Sequence, residues 1–383
     1  MSNEVLIAIH GTYHDNNFGD LLLMKIYENW IKNITSSRIV YPMVPQAQLA
    51  NFKSNFPDAS IGLKNLRSWK GLIYAGGGHF GEPNSSAKNA YSKSWNKRFF
   101  KRHVLPAELC IWNNIPYGVI GVGAGPLSNF FVKHEVKRIL ANAKIRCVRD
   151  IDSQKFVNKT LNISSGVTVL PDAALSISQS DIPEKAFETI NNLLEPYKEM
   201  LLLGIHHPRD FLQNTPQSES MRMGLLECLK SEPDVLPVVF SDNGNSKYSK
   251  HSEDLTKLIS DFTGKKCLSL PFQGVWETVA LISQFSAVLT TKLHVGIVAY
   301  ALGVYCESFA LHSKVKRFYQ QVNRSSQCLM LNEADKTNSI TKINRAIELS
   351  RNKVSIRDAE WHEIKQLAQQ NQTLVASFLE KIR

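Results

Sequence analysis

The stretch TTKLHVGIVAYALGV, residues 290–304, is typical of one repeat of an α/β fold. It starts at the end of an apolar strand, passes through a turn and continues as an apolar helix. A strand this apolar is expected to be buried, yet the turn carries Lys292 and His294. Because the N-terminus of a helix also attracts anions, three positive contributions meet at one point. The stretch therefore predicts an anion-binding site at the edge of a parallel sheet.

The same alternation of strand and helix patterns extends in both directions from this stretch. Short β-branched runs such as 71–77 and 116–126 alternate with helical patterns in the first half, and the alternation restarts at 200–207. Strands that alternate with helices indicate βαβ units and a mostly parallel sheet. We therefore predict an α/β fold of two Rossmann-like, doubly wound domains facing a cleft, a layout that resembles the glycosyltransferase-B architecture. The predicted parts are an N-terminal, acceptor-side domain over 1–180, a C-terminal, donor-side domain over 195–335 and a helical segment over 336–383 that packs back on the first domain.

The composition is that of an ordinary globular protein, with 383 residues of which 43% are hydrophobic and 21% charged. The longest apolar runs fall far short of the roughly 20 residues that span a bilayer, and the N-terminus lacks the features of a signal peptide. We therefore expect a cytoplasmic protein. The six cysteines show no CxxC spacing, which argues against a zinc knuckle or a redox pair. The net charge of +11 favours anionic partners.

The densest basic segment is YSKSWNKRFFKRHV, residues 91–104, in which Lys97, Arg98, Lys101 and Arg102 stand among aromatic side chains. Three interpretations fit this pattern. The segment is an exposed helix with its basic residues outward, a surface for a membrane or a lipid-linked substrate, or a site for single-stranded nucleic acid. We favour the first two, and we predict no nucleic-acid partner and peripheral contact with the inner face of the membrane.

Ligands of open parallel sheets bind beyond the carboxyl ends of the strands, so residues that follow each strand are candidate site residues. In the first half these residues are rich in glycine, which lets backbone N–H groups approach a ligand closely. GVGAGP at 121–126 resembles half of a dinucleotide fingerprint, but it lacks the third glycine and the later acidic residue of a nicotinamide site. The predicted binding residues of this half are Asn17, Gly19, Gly77, Gly78, Gly121 and Gly123.

Three charged residues of the first half have two interpretations each. Asp20 precedes a helix and Asp172 ends a strand, so each either caps a helix or serves the site. Arg149 ends an apolar strand, where its guanidinium either pairs with Asp150 or binds a carboxylate or phosphate. In the second half, His294 is either a buried core histidine or part of the anion site.

Seven motifs in this order resemble the polysaccharide pyruvyl transferase family, and together they run through about 300 residues. Each motif is weak alone, whereas their order and spacing are fairly specific. The motifs are NNFGDLLL (16–23), YAGGGHF (74–80), GVGAGPL (121–127), VRDIDS (148–153), LPDAAL (170–175), TTKLHVGIVAYALGV (290–304) and HSKVKRFY (312–319). One departure is Lys292, because the family usually has arginine before the Leu-His pair.

The resemblance implies that the enolpyruvyl group of phosphoenolpyruvate is moved onto a sugar as a pyruvate ketal. The acceptor would be a cell-surface polysaccharide, or its lipid-linked or other glycan precursor. This donor carries a carboxylate and a phosphate and so needs cations, and the reaction needs a proton donor and a base. No metal and no cofactor is expected. The candidates are Arg149, Lys292, Leu293 and Arg209 for binding, His294 as acid or phosphate ligand, and Asp172 or Asp20 as base.

Two other functions remain open from the sequence. One is a glycosyltransferase that uses a nucleotide sugar, which would share the architecture but needs an acidic residue to hold the ribose. Glu277 is the only modest candidate for that residue. The other is an inactive relative or a binding protein, which the departure at Lys292 favours.

Overall fold

The computed structural model describes residues 6–13, 17–63, 65–82 and 93–382. The chain forms two compact units, one of Met1–Ala173 with Gln366–Arg383 and one of Ala174–Lys365. The sequence placed the first boundary at 180 and treated 336–383 as one segment, whereas the structure divides that segment after Lys365.

The first unit contains a parallel sheet flanked by helices. Within the described residues its strands are ordered β3-β2-β1-β4-β5-β6-β7, and all the pairs are parallel. Its elements are β1 (Leu6–His10), α1 (Phe18–Ile34), β2 (Arg38–Tyr41), α2 (Leu49–Asn55), β3 (Ser60–Ile61), β4 (Trp69–Ala75), α3 (Lys93–Phe99), α4 (Leu105–Trp112), β5 (Tyr117–Val122), α5 (Phe130–Asn142), β6 (Ile145–Val148), α6 (Ile151–Lys155) and β7 (Thr168–Val169).

The second unit repeats this plan with a parallel sheet ordered β10-β9-β8-β11-β12-β13 among the described residues. Its elements, including a last helix that continues into the first unit, are α7 (Glu184–Leu194), β8 (Leu201–His206), α8 (Pro208–Phe211), α9 (Pro216–Ser231), β9 (Val235–Phe240), α10 (Ser246–Thr263), β10 (Leu268–Leu270), α11 (Val275–Gln284), β11 (Ala287–Thr290), α12 (Leu293–Leu302), β12 (Tyr305–Ala310), α13 (Ser313–Gln321), β13 (Cys328–Met330), α14 (Lys336–Arg351) and α15 (Ala359–Lys381).

Each sheet has one point at which the strand order reverses. The first reversal lies between β1 and β4, and the second lies between β8 and β11. At such a point the connections leave on opposite faces of the sheet, which opens a crevice at the carboxyl ends of the two strands. The predicted α/β class with two doubly wound sheets is confirmed, and the topology identifies one crevice for each sheet.

The central strands are mostly apolar and are buried along their whole length, because helices cover both faces of each sheet. Every residue of β5, β9 and β12 is buried. In the first unit, the second half of α15 packs against the sheet, where Gly71 and Gly118 lack the Cβ atoms that would contact Phe378. The fully buried Asn371 of the same helix donates to the carbonyl oxygen of Pro171 at 2.9 Å. This polar contact satisfies a carbonyl at the end of the sheet.

A buried ion pair joins α14 to the second sheet. Glu307 lies within β12 and is fully buried, and Lys342 of α14 approaches its Oε2 atom with Nζ at 2.9 Å. The Tyr305 hydroxyl donates to the other carboxylate oxygen at 2.7 Å. Burial raises the pKa of Glu307, whereas Lys342 opposes this rise. The lysine therefore compensates a charge that would be costly alone in the core.

We predict that Lys342→Met lowers the free energy of unfolding by about 3–5 kcal/mol at neutral pH, because it leaves Glu307 buried without its cation. Burial already places the folded-state pKa of Glu307 above its unfolded value. The penalty is therefore full above the folded-state pKa and shrinks as the pH falls through it. Denaturant unfolding at pH 7 and at about pH 5 measures both effects.

Lys336→Met on the same helix is the matched control, because Lys336 pairs with the exposed Glu227 at the surface. Such an exposed pair contributes at most about 1 kcal/mol. Two results would contradict the assigned role of Lys342. One is an equal loss of unfolding free energy in the two variants, and the other is a loss in Lys342→Met that is the same at both pH values.

Candidate functional site

The loop after β4 lies at the reversal point of the first sheet. Gly76 and Gly77 have φ angles of +57° and +79°, in the left-handed region that favours glycine. The N–H of Gly123 donates to the carbonyl oxygen of Gly77 at 2.8 Å, which joins this loop to the one after β5. A Cβ at Gly78 would meet no atom within 4 Å, so Gly78 borders open space.

At the two predicted glycines at the end of β5 and just after it, neighbouring side chains leave no space for a Cβ atom. Gly121 has a φ of +68°, and a Cβ there would lie 2.8 Å from the Tyr27 hydroxyl. A Cβ at Gly123 would lie 2.8 Å from Nε of Arg149. Both positions therefore make room for neighbouring side chains of the first unit, and this packing is independent of any ligand.

Arg149 and Asp172 form a buried ion pair in the first unit. Nη1 of Arg149 lies 3.3 Å from Oδ2 of Asp172, and its Nε lies 3.7 Å from Oδ2 of Asp150. The side chain of Asp150 also caps α6 by accepting from the N–H of Ser153 at 2.7 Å. Arg149 thus faces both carboxylates, so it brings less net positive charge to a ligand than a guanidinium alone.

The N-cap residue of α1 is not Asp20, which was one of the two interpretations of that residue. Asn17 is the N-cap, and its Oδ1 accepts from the N–H of Gly19 at 3.2 Å. Asp20 lies half-buried in the first helical turn, where a carboxylate is favoured by the helix dipole. The capping role considered for Asp20 is therefore wrong, because the side chain three residues earlier takes that position. Asn16 lies outside the described residues.

At the reversal point of the second sheet, the ends of β8 and β11 are joined through side chains. Oγ1 of Thr290 lies 2.8 Å from Nδ1 of His206 and accepts from the N–H of Lys292 at 3.0 Å. A neutral His206 that accepts from the Thr290 hydroxyl at Nδ1 carries its proton on Nε2. Burial lowers the pKa of His206 and so favours this neutral form. Its Nε2 faces Oδ2 of Asp242 at 3.5 Å.

A second histidine beside it forms a carboxylate–imidazole pair. Nδ1 of His207 donates to Oδ2 of Asp210 at 2.7 Å, and the Thr291 hydroxyl donates to the same oxygen at 2.5 Å. Burial tends to raise the pKa of Asp210, but these donors outweigh it and the pKa is lowered. His207 has a φ of +59°, which is rare outside glycine and costs about 1–3 kcal/mol.

The pair of His207 and Asp210 is a functional candidate that the sequence prediction did not select. A carboxylate on Nδ1 orients an imidazole and leaves its Nε2 as a proton acceptor, which is the arrangement of a general base. The available signal was the His-His dipeptide directly after the apolar strand at 200–207. The predicted binding residue of this loop, Arg209, is exposed on α8, and its charge helps to lower the pKa of His251.

Two helices, α12 and α13, begin after the neighbouring parallel strands β11 and β12. Lys292 and His312 occupy their N-cap positions, and in this fully described stretch neither cap side chain bonds to the backbone of its helix. The first backbone N–H groups of a helix seek acceptors and favour anions. The same edge therefore presents two helix N-termini side by side.

The electrostatic surroundings of these two N-termini are basic. Burial lowers the pKa of His312, and the charges of Lys314 and Lys292 lower it further. The charge of Lys292 also helps to lower the pKa of Asp210 and of Asp242, so both carboxylates belong to its electrostatic surroundings. His294 is half-buried in the first turn of α12, whereas the Leu293 side chain is buried and leaves only its backbone N–H for a ligand. The arrangement suits a small ligand with two anionic groups.

The structure brings the predicted residues together in two separate sets. Arg149, Asp172, Gly77 and Gly123 meet within the first unit, and Lys292, Leu293 and His294 meet within the second. The sequence predicted no metal site, yet His10, His79 and His103 converge in the first unit with ligand atoms within 4.8 Å of one another.

Solved structures that share the fold include UDP-GlcNAc 2-epimerases. The UDP-GlcNAc 2-epimerase from Neisseria meningitidis, bound to UDP-GlcNAc, has a TM-score of 0.64 and 12% identity, covering 98% of this chain and 99% of that chain. The epimerase from Methanocaldococcus jannaschii has a TM-score of 0.61 and 12% identity, covering 97% and 99%. S. aureus MnaA, solved with UDP, has a TM-score of 0.61 and 12% identity, covering 98% and 94%. Identities this low show the shared glycosyltransferase-B-like fold alone.

The comparison with curated proteins gave no match. The model of the polysaccharide pyruvyl transferase family, by contrast, matches residues 17–313, which include the glycine loops of the first unit and the start of α13 in the second. The chain therefore belongs to the polysaccharide pyruvyl transferase family.

Proposed function

We propose that this protein transfers the enolpyruvyl group of phosphoenolpyruvate onto a sugar of a cell-surface polysaccharide or its precursor, forming a pyruvate ketal and releasing phosphate. The observation that carries the proposal is the pair of helix N-termini, α12 and α13, at the carboxyl edge of the second sheet. Family membership supports the same reaction class. Phosphoenolpyruvate has one phosphate and one carboxylate, which matches two adjacent anion positions.

In this proposal each helix N-terminus takes one anionic group of the donor. Lys292 and Lys314 supply positive charge, and His312 gains affinity for a proton when an anion arrives. Lysine at position 292 is a point charge without the planar fork of arginine. Orientation of the donor then depends mainly on the backbone N–H groups, which are fixed by the fold.

The chemistry requires a proton on the methylene carbon of the donor and removal of two hydroxyl protons from the acceptor. His294 gives its proton to that carbon, which leaves an oxocarbenium-like centre. One acceptor hydroxyl attacks this centre and loses its proton to a base, phosphate departs with the C–O bonding pair, and a second hydroxyl closes the ketal and loses its proton. No metal or organic cofactor supplies a step in this scheme.

The base has three candidates in this proposal. Asp172 and Asp20 are the choices from the sequence, and both lie in the first unit. Asp172 faces Arg149, which fixes its position but also engages one of its oxygens. His207, oriented by Asp210, is the third candidate and has the geometry of a base with its Nε2 available.

We predict that phosphoenolpyruvate raises the melting temperature of the full chain and that uridine diphosphate does not. A ligand at 100 times its Kd adds about 2.7 kcal/mol of stability. In His294→Ala this shift persists, whereas phosphate release with a panel of glycan acceptors falls by about 10²–10⁴-fold, the usual contribution of an acid. Differential scanning fluorimetry and a phosphate assay measure the two effects.

The control is His134→Ala, which removes an exposed histidine of α5 in the first unit and leaves both readouts unchanged. A shift with uridine diphosphate alone would favour the nucleotide-sugar alternative, for which the solved structures with bound UDP or UDP-GlcNAc are the supporting observation. Normal phosphate release by His294→Ala would remove this histidine from the chemistry.

We further propose a membrane-proximal, lipid-linked acceptor. Lys97, Arg98 and Lys101 are exposed, Arg102 is half-buried, and the Phe100 side chain is 42% exposed beside them. Phe99, in contrast, is buried in the core. Cations around an exposed aromatic ring suit an anionic lipid surface. No helix in the described residues is long and apolar enough to cross a membrane.

We predict that the protein co-sediments with vesicles containing phosphatidylglycerol and that Lys97→Gln with Arg98→Gln weakens this binding at least tenfold. The expectation follows from about 1 kcal/mol per basic residue near an anionic surface. Lys250→Gln with Lys257→Gln on α10 removes the same charge from another exposed helix and is the control. Equal binding by both double variants would contradict this role of the segment.

A further inference from the structure

Three histidines from three separate elements meet at the reversal point of the first sheet. His10 is the last residue of β1, and His79 follows the three glycines after β4. His103 belongs to a π-helical turn, Phe100–Val104, between α3 and α4. Among the described residues, they form a group of potential metal ligands in which the ligand atoms lie within 4.8 Å of one another. The adjacent strands β1 and β4 fix the first two positions.

The spacing of the nitrogens suits a single ion. Nε2 of His10 and Nδ1 of His103 lie 3.2 Å apart and share a hydrogen bond, which a bound ion would replace. Two nitrogens bonded at about 2.0–2.1 Å to one tetrahedral zinc ion are about 3.3 Å apart. The His79 ring stands 5.4 Å from that of His10 and 5.3 Å from that of His103, measured between ring centroids. The centroids of His10 and His103 are also 5.4 Å apart, so the three rings are nearly equidistant from one another.

Outer contacts orient these rings. Oγ1 of Thr12 lies 3.2 Å from Nδ1 of His79, and in the tautomer whose Nδ1 proton goes to this hydroxyl, Nε2 is the ligand atom. The Tyr74 hydroxyl donates to the backbone carbonyl of His103 at 2.7 Å and holds the π-helical turn. The Tyr74 ring also packs edge-on against His10, with 4.8 Å between centroids. These contacts fix the directions of the ligand nitrogens before a metal arrives.

Burial and charge favour a metal that accepts neutral ligands. His10 and His79 are almost completely buried, whereas His103 is half-buried. The group is therefore most accessible to solvent on the side of His103. Neutral imidazoles are good ligands for zinc and other late transition metals, whereas magnesium and calcium prefer oxygen. Three protein ligands with an open position are typical of sites where the metal also binds a water or a substrate oxygen.

We propose that His10, His79 and His103 bind one divalent transition metal ion, with zinc preferred, through Nε2 of His10, Nε2 of His79 and Nδ1 of His103. The open position takes an oxygen ligand, either water or a hydroxyl of a bound sugar. The site goes beyond the transferase function and does not depend on it, because donor binding was assigned to the second unit.

The experiment uses the full chain, stripped with a chelator and then equilibrated with Zn²⁺ or Co²⁺ and freed of excess metal. The expected result is one ion per chain by mass spectrometry and the intense visible bands of tetrahedral Co²⁺. Zn²⁺ affinity falls at least 100-fold in His103→Ala and about 10–100-fold in Thr12→Val, which removes only the outer contact.

His134→Ala is the matched control, because this exposed histidine of α5 lies outside the group and its loss leaves stoichiometry and affinity unchanged. Circular dichroism checks that each variant is folded. If His103→Ala does not fold, the Zn²⁺ affinity of Thr12→Val and the Co²⁺ spectrum of the unmodified protein test the proposal. Less than one ion per chain, Co²⁺ bands of an octahedral oxygen site, or an affinity in Thr12→Val equal to that of His134→Ala would overturn the assignment.

Discussion

The hydroxyl of Thr290 connects the two strands between which the order of the second sheet reverses. It shares a hydrogen bond with Nδ1 of His206 at the end of β8 and accepts from the backbone N–H of Lys292 after β11. Thr290 and His206 are fully buried, so their polar side-chain groups need partners. The contact links the end of β8 to Lys292, the N-cap residue of α12, two residues before His294. The proposed donor site depends on it.

The two sheets share one topology but place different chemistry at their reversal points. The second sheet provides helix N-termini and cations, which suit a dianionic donor. The first sheet provides backbone turns at glycines, the ion pair of Arg149 with Asp172, and the group of three histidines. The crevice of the second sheet is therefore the proposed anion site, and the crevice of the first sheet is the candidate metal site. The fold fixes where a ligand binds, whereas the residues after each strand decide which ligand it is.

The sequence predicted the sheets well because alternating strand and helix patterns are local signals. The edge strands β3 and β13 have two and three residues, which is too short for an alternating pattern in the sequence. The partner of Arg149 was not predictable, because Asp150 is adjacent in sequence while Asp172 becomes a neighbour only through the pairing of β6 with β7. The histidine group was missed for the same reason, since His10 and His103 are separated by 93 positions.

The central claim is that α12 and α13 bind the two anionic groups of phosphoenolpyruvate. A crystal structure of the full chain grown with this donor tests it most directly. The account predicts the phosphate and the carboxylate on the first backbone N–H groups of these two helices, with His294 facing the methylene carbon. Donor density elsewhere in the chain, with this edge of the second sheet left to solvent, would contradict the account.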